Sequence, residues 1–204
     1  IDTCPFGLTC LGSLELLESR KVSVVGSRRA SLRSLVMSKA LGRSLAEEGF
    51  VVVSGGALGC DIMSHQGVLQ SQRMKAQAIV VFPGGLDCLV PQTNAYTFKA
   101  ILSRGGVFLS ERLWGQKPSP RDFPIRNRII MGLSSSLVIV EAGLRSGTMR
   151  TAQLALDAGR DLYLVKQDKT FLERAKGSLS LIEDGACVFN EIDELIKAIN
   201  SSKT

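Results

Sequence analysis

The sequence predicts a doubly wound α/β domain, a mostly parallel sheet with helices on both faces, and three observations carry that expectation. Short apolar runs rich in β-branched residues recur along the chain, helix-length segments separate them, and the runs end in small or polar residues. Strands buried on both faces of a parallel sheet need side chains that are apolar throughout, not alternating ones. Five repeats of strand then helix call for right-handed crossovers within one sheet.

Residues 1–20 contain two Leu-rich pieces and read as a lead-in packed on the sheet. The first strand is Val22–Gly26 (VSVVG), followed by a helix over Ser34–Glu48 that Gly49 stops in the position where a left-handed C-terminal cap favours glycine. Phe50–Ser54 (FVVVS) is the second strand and Asp61–Gln72 its helix. Ala78–Pro83 (AIVVFP) precedes a helix over Asn94–Ser103, and Gly106–Ser110 (GVFLS) precedes one over Pro124–Leu133. Leu137–Glu141 (LVIVE) leads to Thr148–Ala158, which Gly159 ends before the last strand, Asp161–Val165 (DLYLV). Asn190–Asn200 reads as a capped amphipathic helix ahead of a polar tail, giving a lead-in (1–20), one α/β domain (21–190) and a C-terminal helix and tail (191–204).

Composition removes several classes of function. The 204 residues are 45% apolar and 22% charged, the balance of a globular chain with one core. No apolar run approaches the ~18 residues of a membrane span, and the first twenty residues lack the order of a signal peptide, so the chain reads as cytoplasmic. Five cysteines without CxxC spacing and a single histidine, His65, supply a zinc site or a histidine-dependent hydrolase poorly. Residues 1–160 hold 19 Lys and Arg against 11 Asp and Glu, whereas residues 161–204 hold six against eight. A basic body with an acidic tail favours an anionic partner. A start at Ile1 without methionine suggests a piece of a longer protein.

The strand ends are Gly26-Ser27-Arg28, Ser54-Gly55-Gly56, Pro83-Gly84-Gly85, Ser110-Glu111 and Glu141-Ala142-Gly143. In an open parallel sheet the carboxyl ends of the strands line the ligand crevice, so these clusters gather on one edge. Glycine there lets backbone N–H groups approach an anion, and a helix N-terminus adds partial positive charge. Arg28 and Arg29 add planar donors suited to phosphate oxygens, and Ser146-Gly147-Thr148 adds hydroxyls and open backbone at a helix start. Any single cluster can equally be a plain turn. No GxxxxGK[ST] cradle is present, and the first turn lacks the second and third glycines of the dinucleotide fingerprint, which argues against P-loop hydrolysis and a nicotinamide cofactor. Arg126, Asn127 and Arg128 open an otherwise apolar segment. Unpaired buried guanidiniums are too costly, so the two arginines must reach water, the carboxylates of Glu111 and Glu141, or phosphate. Asp61 and Asp87, after glycine turns, read as helix caps.

Taken in order, Val24-Val25-Gly26-Ser27-Arg28-Arg29, Ser54-Gly55-Gly56-Ala57 through Asp61 to His65, and Gly85-Leu86-Asp87 with Pro91 and Asn94 resemble the DNA-processing protein A (DprA, or Smf) family. The likeness continues through Phe123-Pro124 with Arg126-Asn127-Arg128, Ser146-Gly147-Thr148 and Gly159-Arg160 to Asp184-Gly185-Ala186, over about residues 12–188. It implies an extended Rossmann-like domain that binds and protects single-stranded DNA, dimerises, and helps load the RecA recombinase during natural transformation, without a cofactor or a catalytic step. It makes Arg28 the principal phosphate contact, with Gly26, Ser27, Arg29 and the Gly55-Gly56 backbone beside it. Gln92, Asn94, Arg126, Asn127, Arg128, Ser146, Gly147 and Thr148 complete the expected nucleic-acid site. Tyr96 and Phe98 are candidates to stack a base. Two departures stand out: Val90-Pro91-Gln92 replaces a usual Tyr-Pro-Lys, and Val165-Lys166-Gln167 stands where a Pro-Gly turn is common. The alternative is a nucleotide-phosphate-binding enzyme or sensor of the related LOG-like type, whose enzymes cleave nucleoside monophosphates, but Pro83-Gly84-Gly85 and Ser146-Gly147-Thr148 lack the following glutamate of that signature.

Overall fold

A computed structural model describes residues 4–166 and 172–202; Gln167, singled out above, lies outside them. Eight strands form one sheet in the order β1-β5-β4-β3-β2-β6-β7-β8. They are β1 (Thr9–Gly12), β2 (Lys21–Val25), β3 (Val51–Ser54), β4 (Ala78–Phe82), β5 (Val107–Ser110), β6 (Ser136–Ile139), β7 (Asp161–Val165) and β8 (Cys187–Phe189). Every pairing is parallel except that of β1 with β5. The helices are α1 (Leu32–Glu47), α2 (Cys60–Leu69), α3 (Ala95–Ser103), α4 (Asp122–Gly132), α5 (Gly147–Asp157), α6 (Leu172–Glu183) and α7 (Ile192–Ser201). The chain winds outward from β2 to β5, returns to β6 beside β2, and winds the other way to β8. The doubly wound expectation therefore holds, with its switch point between β2 and β6.

Continuous apolar strands divide their side chains between two cores, as the pleat requires. Val22, Val24, Val52, Val80, Phe82, Val138 and Val140 face one core, which α1, α2, α3 and α7 cover with Leu41, Leu45, Val68, Phe98, Ile101, Leu195 and Ile199. Val25, Val51, Val53, Ile79, Val81, Leu137 and Ile139 face the other, covered by Ile129, Ile130 and Met131 of α4, Ala152 and Ala155 of α5 and Leu181 of α6. Phe82, Phe98 and Phe108 pack edge to face, with centroids 5.0 to 6.2 Å apart. The polar residues on the strands are satisfied: the Ser23 hydroxyl donates to the Ile130 carbonyl at 2.7 Å and that of Ser54 to Val24 at 2.6 Å.

The six expected core strands and five intervening helices are all present, with ends shifted by at most three residues. Gly49 and Gly159 take φ of +82° and +60° and stop α1 and α5. Ser31 begins α1 two residues earlier than expected because its hydroxyl accepts the Ser34 N–H. Two stretches add elements to the sequence reading. Part of the lead-in is a sheet strand, β1, hydrogen-bonded antiparallel to β5. Residues after β7 form α6 and a parallel strand β8. The C-terminal helix is part of the same core, since Leu195 and Ile199 of α7 are buried beside α1.

Candidate nucleic-acid interface

A cleft of about 680 Å³ opens at the carboxyl ends of β2 and β6, at the switch point. Three segments build it: the turn after β2 (Gly26, Ser27, Arg28 and Arg29), the start of α4 (Phe123, Arg126 and Asn127) and the start of α5 (Ser146, Gly147 and Thr148). Four arginines line it, Arg28, Arg29, Arg126 and Arg150, against the single carboxylate of Asp61. A cleft with one dominant sign of charge concentrates counter-ions of the other sign, which here are anions.

Arg28 and Arg29 are exposed at the mouth. The Arg28 guanidinium lies 5.1 Å from the centre of the Phe123 ring, which braces it while leaving its donors to the cleft. Ser27 fixes the turn: its N–H donates to the Glu141 carbonyl at 2.8 Å and its hydroxyl accepts the Arg29 N–H at 3.1 Å. At the opposite wall, the Ser146 hydroxyl caps α5 by accepting the Met149 N–H at 3.3 Å. No atom comes within 4 Å of where a Cβ on Gly147 would be, so this helix start presents open backbone to the cleft. Asn127 joins the walls, donating its Nδ2 to Thr151 Oγ1 at 2.9 Å.

Arg126 forms the floor. It is buried, and its Nη1 donates to the Val81 carbonyl at 2.8 Å. Burial, with the like charge of Arg28 adding to it, pushes its pKa down to about 10, while Asp61 opposes the shift. The guanidinium therefore stays charged at neutral pH. Asp61, on α2, is also buried, and burial raises its carboxyl above the ordinary range against the lowering influence of Arg126 and of backbone amides.

Nine of the fourteen expected site residues meet in this cleft: Gly26, Ser27, Arg28, Arg29, Arg126, Asn127, Ser146, Gly147 and Thr148. The structure places Gly55, Gly56, Gln92, Asn94 and Arg128 outside its lining. Gly55 donates its N–H to Asp61 Oδ2 at 3.2 Å, and a Cβ there would lie 1.5 Å from Arg126 Nη1. Its lack of a side chain accommodates an internal cation. Gly56 has φ +61°, and its carbonyl accepts from Asn94 Nδ2 at 2.9 Å, so this pair ties β3 to α3. Arg128 donates Nη2 to both oxygens of Glu111, at 2.6 and 2.5 Å. Glu141 accepts from Ser31 N at 3.0 Å and from Ser34 Oγ at 2.9 Å, at the start of α1. Asp61 does not cap α2, whose N-cap is Gly59, and Asp87 accepts the Gly115 N–H at 2.9 Å instead of capping a helix. Gln92 is exposed away from the lining.

Phe98 is 1% exposed within the core and offers no face to a base, whereas Tyr96 is 86% exposed. Sequence reasoning missed Phe123, Arg150 and Trp114. Trp114 is 60% exposed, on the segment between β5 and α4 that goes on to line the cleft with Pro120 and Phe123. The signal for Arg150 was available: it stands four residues after Ser146, one helical turn on the same face.

A cleft at the switch point, with an exposed arginine at its mouth, a buried one at its floor and an open helix start in its wall, belongs to a Rossmann-like domain with a candidate anion site. The family model for DNA recombination-mediator protein A matches residues 1–200, and the chain belongs to that family. It is 34% identical to Protein Smf of Escherichia coli over 193 residues and 33% identical to Protein Smf of Synechocystis over 205. These alignments cover 95% and 98% of this chain but 50% of each relative, so the chain spans about half the length of the curated relatives it matches. Among solved structures, DNA processing protein A from Helicobacter pylori, studied for its single-stranded DNA binding mode, superposes with a TM-score of 0.89 at 32% identity. That match covers 99% of this chain and 90% of the other. Among the described residues no helix is long and apolar enough to cross a membrane.

Proposed function

We propose that the cleft grips the phosphodiester backbone of single-stranded DNA, and that the chain serves DNA recombination by protecting that strand and presenting it to the RecA recombinase, as a homodimer in the cytoplasm and without catalysis. The observation that carries this reading is the pairing of an exposed Arg28 with the open start of α5 across one basic cleft. Such a site suits a flexible polyanion. Phosphate contacts supply affinity without reading sequence, and neighbouring aromatics accept any base. Phe123 lines the cleft, and Tyr96 and Trp114 are exposed aromatics outside its lining that a longer strand would have to reach. The membership of the chain in its family, and the DNA-binding mode studied in the Helicobacter pylori protein, support the same reading.

The test is a titration of labelled oligo-dT of several lengths at two salt concentrations, with the wild type and Arg28→Ala. Binding should strengthen with length and weaken with salt. The variant should lose about tenfold or more in affinity, and its salt slope should fall by about 0.7, the value for one single-strand phosphate contact. Equal binding by both proteins would remove Arg28 from the interface. Failure of every oligonucleotide, with AMP bound and cleaved, would favour a nucleotide hydrolase instead.

A further inference from the structure

The strand-end turns that sequence reasoning assigns to phosphate already hold an anion of the protein's own. Asp61, at the start of α2 and almost fully buried, accepts the Gly55 N–H at 3.2 Å; burial raises its carboxyl, while Arg126 and the nearby backbone of Ala57, Gly55 and Gly26 favour its charged form. These backbone groups come from the turns after β2 and β3, where glycine-rich phosphate cradles are found in folds of this class. The Arg126 guanidinium lies beside Gly55, where a Cβ would be, and its Nε is buried without an acceptor among the described residues. Gly55 thus adjoins both a buried carboxylate and a buried guanidinium.

We propose that Asp61 is a specificity-determining residue: its carboxylate fills the backbone nest at the ends of β2 and β3, closing it to free phosphate, so that anions are confined to the outer cleft at Arg28 and the start of α5. An isolated phosphate or a free mononucleotide gains most from a deep nest that surrounds its charge. A strand backbone draws its affinity from several shallow contacts and loses little by being kept at the mouth. Asp61 thereby disfavours small phosphorylated ligands relative to polymers. This deepens the DNA-binding reading, but the interaction it describes is intramolecular and can be measured without nucleic acid.

Removing the carboxylate leaves the Gly55 N–H and the nearby charge of Arg126 without their internal partner, so a diffusible anion should take its place. The experiment is thermal melting of the wild type, Asp61→Ala and Asp61→Ser in sodium phosphate and in sodium chloride matched for ionic strength and pH. Asp61→Ala should be stabilised by phosphate by several degrees more than the wild type, because an anion that binds only the folded state raises its melting temperature. Folding of Asp61→Ala in phosphate but not in chloride would support the proposal in its strongest form. Should Asp61→Ala fail to fold in either salt, Asp61→Ser decides, because its shorter side chain vacates the space of the carboxylate while keeping a hydroxyl. A phosphate-specific shift beyond that of the wild type supports the proposal, and a shift equal to the wild type's overturns it. Equal shifts in all three folded proteins overturn it as well. Oligo-dT binding by the wild type in a parallel titration separates the two readings, since loss of that binding refutes DNA recognition and leaves the melting result standing.

Discussion

The only histidine in the chain gives a pH signature that can be calculated from its burial. His65 lies on α2 with no exposed surface, and its pKa is pushed down to about 3, first by burial and then by the charge of Arg126, while the Ser54 carbonyl opposes the shift. In the unfolded chain an imidazole titrates near 6.5. The folded state therefore favours the neutral ring: its stability is intact above pH 6.5 and is lost as pH falls toward 3, because the unfolded chain takes up a proton that the folded one refuses. One pKa unit corresponds to about 1.36 kcal/mol. Between pH 7.5 and pH 5 the loss from this group alone comes to about 2 kcal/mol. Asp61, raised by burial, contributes with the opposite sign, so the measurement must be a difference between proteins. Urea unfolding of wild type and His65→Gln at pH 7.5, 6 and 5 supplies it. The glutamine side chain does not titrate, so the stability gap between the two proteins should shift by about 2 kcal/mol in favour of the variant on acidification. Parallel pH profiles, with a constant gap, would refute the argument and mean that the ring is protonated or solvated in the folded protein.

Three further outcomes test the site and its frame. Gly55→Ala should destabilise the fold by about 3 kcal/mol or more in chemical denaturation, since its Cβ would displace the buried Arg126 guanidinium, whose Nη1 lies 1.5 Å from that position. Gly147→Ala should leave stability within about 0.5 kcal/mol, because the Cβ enters open space, yet weaken oligo-dT binding if the start of α5 seats a phosphate. Asp122 is held below the ordinary carboxylate range by the Ser119 amide and hydroxyl and by Arg112. Asp122→Asn should therefore cost about 2 kcal/mol at pH 7, and thermal melts should show the gap to wild type closing as pH falls below about 3.9 and through the lowered value.

The fold was legible because its central strands are buried on both faces. Val51, Val52 and Val53 alternate between two cores, and only a sheet covered on each side tolerates such a run. The outer elements carried weaker signals. β8 has three residues, two of them exposed, and β1 alternates between half-buried and exposed. α6 contains Gly177 and Ser178, residue types that favour turns over helix interiors. In the structure Gly177 lets the helix approach the turn after β6, where a Cβ would meet the Ala142 carbonyl at 2.8 Å, and Ser178 Oγ accepts the Ala142 N–H at 2.9 Å. Those residues answer to a tertiary contact, which no local pattern records.

The site was legible for a different reason, and its errors follow from that reason. A glycine at a strand end announces that something comes close to the backbone without saying what. At Gly26 the neighbour is the Cys60 side chain, with Sγ 2.6 Å from the position of a Cβ; at Gly55 it is Arg126; at Gly147 nothing is near. Only the last leaves its backbone open to an anion from solution. Arginines carry the complementary ambiguity, since each must find an anion but any carboxylate will serve. Arg128 is held by Glu111, Arg126 lies beside Gly55, whose N–H donates to Asp61, and Arg28 rests on an aromatic ring that leaves its charge uncompensated. The place proposed for an anionic partner is therefore where an arginine with no carboxylate partner among the described residues faces a glycine with open space beside it, a coincidence that exists only after the chain has folded.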